Sequence, residues 1–477
     1  MDVLVVLVYL VAMIAFGFWG RRRAQSQADF LVAGRRLGPT LYAGTMAAVV
    51  LGGASTIGGV GLGYQYGLSG MWLVVAIGVG ILVLSLAFAG RIQRLRVYTV
   101  GQMLELRYGP GSSVLSGVVM WAYTLMLAVT STIAYATIFA ALLDLGKVPS
   151  ILLGGTVVVI YSTLGGMWSI TLTDFVQFVI KTVGIFFLLL PIVLNRAGGW
   201  AGLQAALPVD AFSLTAIGGG TILTYFVIYT FGLLIGQDIW QRVFTARSPG
   251  VARWAGTAAG VYCLLYGVAG AVIGMSAKVL LPNLDAADDA FAHVVEATLP
   301  ALLAGLVLAA ALSAVMSTSS GALIATATVF GQDILGKLRG HTAKNDEHAG
   351  DSRWLVAGFG VVMIVIACLL QDVVAALTVA YDILVGGLLV PIIGGLVWRR
   401  GTGTGALAAM GVGTVATLVT MFVVGDLYAN EPVYVGLGTG LVAYVVASLA
   451  TRPTEADVLA EWDARSRATA AVDASAT

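Results

Sequence analysis

The chain has 477 residues, 59% hydrophobic and only 10% charged, with 25 Lys and Arg against 24 Asp and Glu. Soluble domains carry about 25% charged residues, so this composition excludes one and, with a mean hydropathy of +0.95, implies an all-α polytopic membrane protein. Two cysteines, Cys263 and Cys368, both within apolar runs, exclude a disulfide framework or a cysteine metal cluster.

Thirteen apolar runs are long enough to cross a bilayer, at roughly 2–20, 40–66, 70–90, 113–142, 149–165, 171–195, 216–238, 255–280, 298–331, 354–370, 373–397, 403–424 and 431–451. The first is followed by Arg21-Arg22-Arg23 and not by a small-residue cleavage site, which reads as a retained span. Loop charge tests the count. With the N-terminus outside, 21 of the 25 Lys and Arg fall in inner segments, Lys147, Arg196 and Lys278 in outer ones, and Lys181 within a span. That bias predicts thirteen spans in the cell membrane, N-terminus out and C-terminus in. The longest loops, near 196–215, 281–297 and 332–353, are too short for a domain. Residues 1–451 therefore read as one transmembrane domain and 452–477 as a polar cytoplasmic tail. Topology accounts for the basic inner segments, so no nucleic-acid partner is implied. Membrane lipid is the expected surroundings, and nothing calls for an obligate protein partner.

Two runs look interrupted. Span 2 carries Gly52, Gly53, Gly58, Gly59, Gly61 and Gly63, a poor continuous helix. Span 7 is entered through Gly218-Gly219-Gly220 and contains Gly232 and Gly236. They stand five spans apart, an odd number, so spans 2–6 and 7–11 form two inverted five-helix repeats, about 40–195 and 216–397. Broken first helices at matching positions of inverted repeats point to a transporter's binding site. Glycine for close helix packing is the competing reading.

Span 9 holds the densest polar knot, Ser317, Thr318, Ser319 and Ser320, with no charge between Gly305 and Gln332. At 100° per residue Ser313, Ser317 and Ser320 share a face, Ala314 lies beside them and Thr318 at the edge. Such serines either bond back to their own helix in a tight packing seam or offer hard oxygens to a small cation such as sodium. Asp174, Lys181 and Asp382 are the ionisable residues set well inside spans. His293, His341 and His348 fall in loops and no acid–base pair shares a span face, which leaves an embedded enzyme without a catalytic constellation. A channel would draw its filter from symmetric repeats, and a sensor would need an output domain.

Several motifs in this order resemble the sodium:solute symporter family over nearly the whole chain. They are Gly53-Ala-Ser-Thr-Ile-Gly-Gly59, Gly165-Gly-Met-Trp-Ser-Ile-Thr-Leu-Thr-Asp-Phe-Val-Gln177, Gly236-Gln-Asp-Ile-Trp-Gln-Arg242, Ala314-Val-Met-Ser-Thr318, and Ala380-Tyr-Asp-Ile-Leu-Val-Gly-Gly387 with Pro391 and Trp398-Arg-Arg400. The resemblance implies the inverted-repeat, leucine-transporter-like fold and symport of a small organic solute with sodium by alternating access. It implies Na+ bound by the carbonyls of Ala54, Ile57 and Ala314 and the hydroxyls of Ser317 and Thr318. Asp174 is implied on the sodium exit route or, with Ser317 and Ser320, in a second sodium site, although Gly321 stands where such members have another hydroxyl. A solute cavity between spans 2, 4, 7 and 11 is implied, with candidates Gln65, Tyr66, Thr130, Ser131, Thr132, Tyr225, Tyr229 and Tyr381. Lys181 and Asp382 join them as ionisable candidates. Lys181 departs from the family, where an apolar residue is common. Three readings stay open for it: a structural pair with Asp382, a contact to a substrate carboxylate, or an ammonium that replaces or modulates the sodium and makes the carrier proton-coupled. The solute class, which in the family runs from sugars and amino acids to inorganic anions, is not fixed by these residues.

Overall fold

The computed structural model describes residues 2–135, 138–139, 143, 145–339, 349–370, 373–425 and 429–467, and every regular element among them is a helix. His341, His348, the end of the fourth apolar run and the last ten residues lie outside the described residues. Ten helices are long and apolar enough to cross a membrane, or eleven if the bent pair Gly219–Ile235 and Gln237–Thr245 counts as one span. The difference from thirteen lies in two long runs, Ala54–Arg94 and Lys147–Arg196, of 41 and 50 residues. A straight 50-residue helix would measure about 75 Å, more than twice a bilayer core. Neither run is straight. Gly166 takes φ 52 and ψ −138 inside the longer one, and Gly67 takes φ 62 inside the other. Both sites also exclude a side chain, since a Cβ would stand 2.4 Å from the Phe30 carbonyl at Gly166 and 2.0 Å from the Ala211 carbonyl at Gly67.

The two glycine-rich runs are not alike. In the first, Pro39 starts a helix that ends at Val50, Leu51 leaves helical geometry with φ −95 and ψ 70, and a π turn over Ala54–Gly58 leads into the helix Gly59–Tyr66. This is a true break. In the second, the helix continues through a π turn at Phe226–Thr230 and bends by 44° at Gly236 near its end. The interruption of span 7 is therefore a bulge at Phe226–Thr230 followed by a kink at Gly236, and not an unwound stretch like that of span 2. Glycine lies at the kink and not within the π turn, where Phe226, Val227, Ile228, Tyr229 and Thr230 hold the helix together.

The helix Ala301–Val329 is the axis of the molecule. From Ala304 to Val329 all its residues are buried except Leu306 and Thr318. Small side chains permit this, because Ala, Gly and Ser let neighbouring backbones approach closely. At the periphery the helices Ala349–Leu369, Gly403–Val424 and Glu431–Ala450 turn large apolar side chains outward, Phe422 being 90% exposed. Such a surface suits lipid and not water.

Candidate cation and solute site

A helix leaves its last four carbonyls without intrahelical partners. At the end of Pro39–Val50 these oxygens are met by donors from other spans. Ser317 Oγ lies 2.8 Å from Ala48 O and 2.9 Å from Ala314 O, and Thr318 Oγ1 lies 2.7 Å from Val49 O and 3.4 Å from Ala314 O. Lys181 Nζ donates to Ala48 O at 2.9 Å and to Leu51 O at 3.2 Å. Ser55 Oγ donates to Val50 O at 3.2 Å and the Thr56 amide to Gly52 O at 3.1 Å. Gly52 is what lets the two spans meet, because a Cβ there would stand 2.6 Å from Thr318 Oγ1.

This geometry moves the oxygen set earlier in the chain than expected. Ser317 and Thr318 face the carbonyls before the break, whereas Ala54 and Ile57 belong to the π turn beyond it and accept neither hydroxyl among the described residues. Ala314, Ser317 and Thr318 do come together as expected. Ser320 does not join them. Its hydroxyl donates to Ser317 O at 3.1 Å, and no bond links it to Asp174 among the described residues.

Lys181 and Asp382 do not pair. Both are buried, but the ammonium bonds backbone carbonyls, and Asp382 Oδ1 has no hydrogen-bond partner among the described residues. Asp174 is held elsewhere, by Arg242 at 3.1 Å and by Thr45 Oγ1, which donates at 2.5 Å. Arg242 was not foreseen, since its place after span 7 reads as an ordinary inner-loop arginine. Instead the segment Gln237–Thr245 is buried throughout. Gln241 donates to Leu31 O and Thr328 Oγ1, and the Arg242 guanidinium donates also to Asp238 O. The guanidinium explains Gly321 as well, because a Cβ there would come within 2.6 Å of Arg242 Nη2. At the position where the resemblance implies a hydroxyl in other members, the arginine takes the room.

Beside the break lies a cavity of about 90 Å³. Gly52, Gly53 and Ser55 line it from the break, Thr130 and Ser131 from the fourth span, Tyr229 and Tyr381 from the seventh and eleventh. No charged side chain lines it. Thr318 lines it too, so this one hydroxyl touches both the oxygen cluster and the cavity. Tyr229 and Tyr381 meet edge to face at 5.6 Å between centroids, flanked by Tyr225 at 5.8 Å from Tyr229 and Tyr123 at 5.3 Å from Tyr381. Tyr123, which sequence did not single out, stands behind the wall and packs against Tyr381. Gln65 and Tyr66 sit apart, in a second pocket of about 270 Å³ with Asp210 and Lys278. Thr132 points to span 9, bonding Ser319 Oγ at 3.0 Å. Lys181 and Asp382 line neither cavity.

Comparison with known proteins agrees with this architecture. The family model for the sodium:solute symporter family matches residues 30–413. A sodium/proline symporter of Staphylococcus aureus (strain JH9) is 24% identical over 481 residues, covering 94% of this chain and 93% of that protein. Among solved structures, a Na+-coupled sialic acid symporter in a substrate-bound outward-open state superposes with a TM-score of 0.83 at 17% identity, over 95% of this chain and 98% of that one. A nucleobase-cation-symport-1 family transporter in a closed conformation follows the same fold more distantly, with a TM-score of 0.52 at 15% identity over 93% and 99%. With the match spanning most of its length, the chain belongs to the sodium:solute symporter family and is a multi-pass membrane transporter, a sodium-coupled solute symporter and not an enzyme.

Proposed function

We propose that the carbonyls of Ala48, Leu51 and Ala314 with the hydroxyls of Ser317 and Thr318 form the site of the co-transported cation, and that the adjoining cavity takes the solute. The observation that carries this is the position of Thr318, common to both. Five uncharged oxygens, three of them backbone, suit a weakly held, reversibly bound hard monovalent ion. The fit has one peculiarity: Lys181 already presents a cation to two of the five. A cavity of this size without a charged wall suits a compact solute that is neutral or zwitterionic. A carboxylate on it is favoured by the amides that start the half-helix beyond the break, at its positive end. Amino acids of the size of proline, the solute named for the staphylococcal relative, fit that description.

The thirteen-span, N-out arrangement with inverted repeats belongs to the same proposal. The reversals at Gly67 and Gly166 support it, since Gly166 divides its run into two bilayer-length parts and Gly67 separates the second half of the broken span 2 from span 3. In a cysteine-less background, a cysteine at Val209 labels from outside with an impermeant maleimide and one at Arg247 only from inside.

The test is a solute screen by thermal stabilisation with and without sodium, followed by uptake in proteoliposomes. Ser317→Ala or Thr318→Ala removes one oxygen from the shell, a loss of roughly 1.5–3 kcal/mol, and raises the sodium needed for half-maximal uptake on the order of 10- to 150-fold. Solute affinity weakens too at limiting sodium, because coupling is reciprocal. Ser319→Ala leaves sodium activation unchanged, its hydroxyl being engaged with Thr132. Equal damage at Ser319 and Ser317 would sink the site.

A further inference from the structure

We infer that Lys181 is a tethered cation seated in the sodium's place, so that its ammonium and a sodium ion are mutually exclusive occupants of one oxygen cluster. The inference rests on the cation site proposed above and goes beyond it by naming an occupant that the chain itself supplies. Its basis is the identity of the acceptors. Of all the groups within reach of a buried lysine, Nζ bonds Ala48 O, which Ser317 also reaches, and Leu51 O, the last residue before the break. It uses no side-chain acceptor, and no carboxylate pairs with it among the described residues.

A buried ammonium without a counterion is costly unless dipoles replace its hydration. Here the compensation comes from the negative end of the half-helix Pro39–Val50, where unpaired carbonyls converge. That end would stabilise a bound sodium by the same means. The surroundings add nothing that would hold a second positive charge. On the lysine's own helix Asp174 is already paired with Arg242. From Pro249–Leu280 the titratable neighbours are Cys263, Tyr262 and Tyr266, with Tyr266 bonded to Thr56 and Tyr262 to Thr182. The half-helix contributes carbonyls, the first helix Tyr9, bonded to Gln177 of the lysine's own helix, and the helix Ala301–Val329 only hydroxyls and carbonyls. A sodium bound to the same two carbonyls would lie within about 4 Å of the ammonium. At an effective dielectric near 20 the repulsion at that distance costs on the order of 10³-fold in binding. Both cations therefore cannot stay, and sodium binds only as the lysine side chain withdraws. A lysine that only caps the helix, with the sodium seated on other oxygens, would make the same bonds without opposing sodium, and this is the distinction to measure.

The experiment is sodium binding to the purified full chain, by radiolabelled sodium and by sodium-induced thermal stabilisation, in the wild type, Lys181→Met, Lys181→Gln, Lys181→Arg and Ser317→Ala. Lys181→Gln guards against misfolding, because its amide still donates two N–H groups to the carbonyls while carrying no charge. The expected result is that Met and Gln bind sodium on the order of 10²- to 10³-fold more tightly than wild type, while Arg stays as weak as wild type or weaker. Equal sodium affinity in wild type and Lys181→Gln, with Ser317→Ala still impaired, would overturn the inference and leave the cation site standing. Sodium affinity that Ser317→Ala does not change would remove the cation site itself and the inference with it.

Discussion

Arg242 and Lys181 are both cations without exposed surface, and the protein holds them in opposite ways. Arg242 meets a carboxylate, Asp174, and a carbonyl of its own segment, and it lies against Gly321, whose missing side chain makes the room. Lys181 meets only two carbonyls at a helix end that another cation could use. A guanidinium in bonds to a carboxylate is planar, permanently charged and geometrically fixed; an ammonium on four methylenes is a mobile point charge. The first arrangement fastens the segment Gln237–Thr245 into the core. The second leaves a charge that is exchangeable without unmaking the fold.

The sharpest way to break this contrast is to remove each cation in turn. Arg242→Met strands a buried carboxylate, which costs about 3–5 kcal/mol. It should lower the melting temperature or abolish folded material in size-exclusion profiles. Arg242→Met with Asp174→Asn should recover most of that loss, because the stranded charge is gone. Asp174→Asn alone leaves the guanidinium unpaired and should destabilise as well as slow transport. A single Arg242→Met that melts like wild type would show that the pair is not a fastening.

Two glycines carry the next largest effect, one for each cation's neighbourhood. At Gly52 a Cβ meets Thr318 Oγ1 at 2.6 Å, and at Gly321 it meets Arg242 Nη2 at 2.6 Å and Val49 Cγ2 at 2.8 Å. Overpacking of this kind costs about 1–3 kcal/mol. Gly52→Ala should impair sodium and solute binding together, since Thr318 serves both. Gly321→Ala should lower the melting temperature with a smaller change in sodium affinity. Titration by calorimetry beside melting curves separates the two patterns, and identical patterns would erase the distinction between fixed and exchangeable charge.

What the residues disclosed on their own follows the same division. The hydroxyls Ser317 and Thr318 were legible because helical periodicity gathers side chains whose type states their chemistry. The break in span 2 was legible because glycines mark it. Its carbonyls were not, since a carbonyl has no residue type. The motif Gly53–Gly59 drew attention to Ala54 and Ile57, although the oxygens freed by a broken helix are those of the turn before the break. Applied strictly, that rule leads to the carbonyls of residues 47–50, Ala48 among them, with Leu51 the next in line. The partner of Lys181 was hidden for the same reason, and Asp382 was the nearest side-chain substitute. Arg242 was hidden because an arginine after a span satisfies loop-charge topology equally well. In span 7 the interruption falls at Gly236, one of its marked glycines, while the π turn Phe226–Thr230 left no glycine to announce it, because such a turn accommodates an extra residue without needing one.

The smallest expected effect tests the pairing that does not form. Asp382 and Lys181 are buried, of opposite charge and on different spans, the conditions under which an ion pair would be assumed from sequence. If they were coupled, losing either would strand the other, and the double variant would be markedly better than the sum of the single ones. Here the ammonium is bonded to Ala48 and Leu51, and Asp382 follows Tyr381, a residue of the cavity wall, in the chain. Sites that share no partner add within about 0.3–0.5 kcal/mol. Lys181→Met and Asp382→Asn should therefore combine additively in melting free energy, with an interaction energy no larger than that. Their functional signatures should differ too, sodium affinity changing with Lys181 and solute affinity with Asp382. A coupling of 2 kcal/mol or more, roughly the range for one partner of a close charge pair, would mean that the two side chains meet in some state of the transport cycle. Lys181 would then belong with Arg242 among the fixed charges.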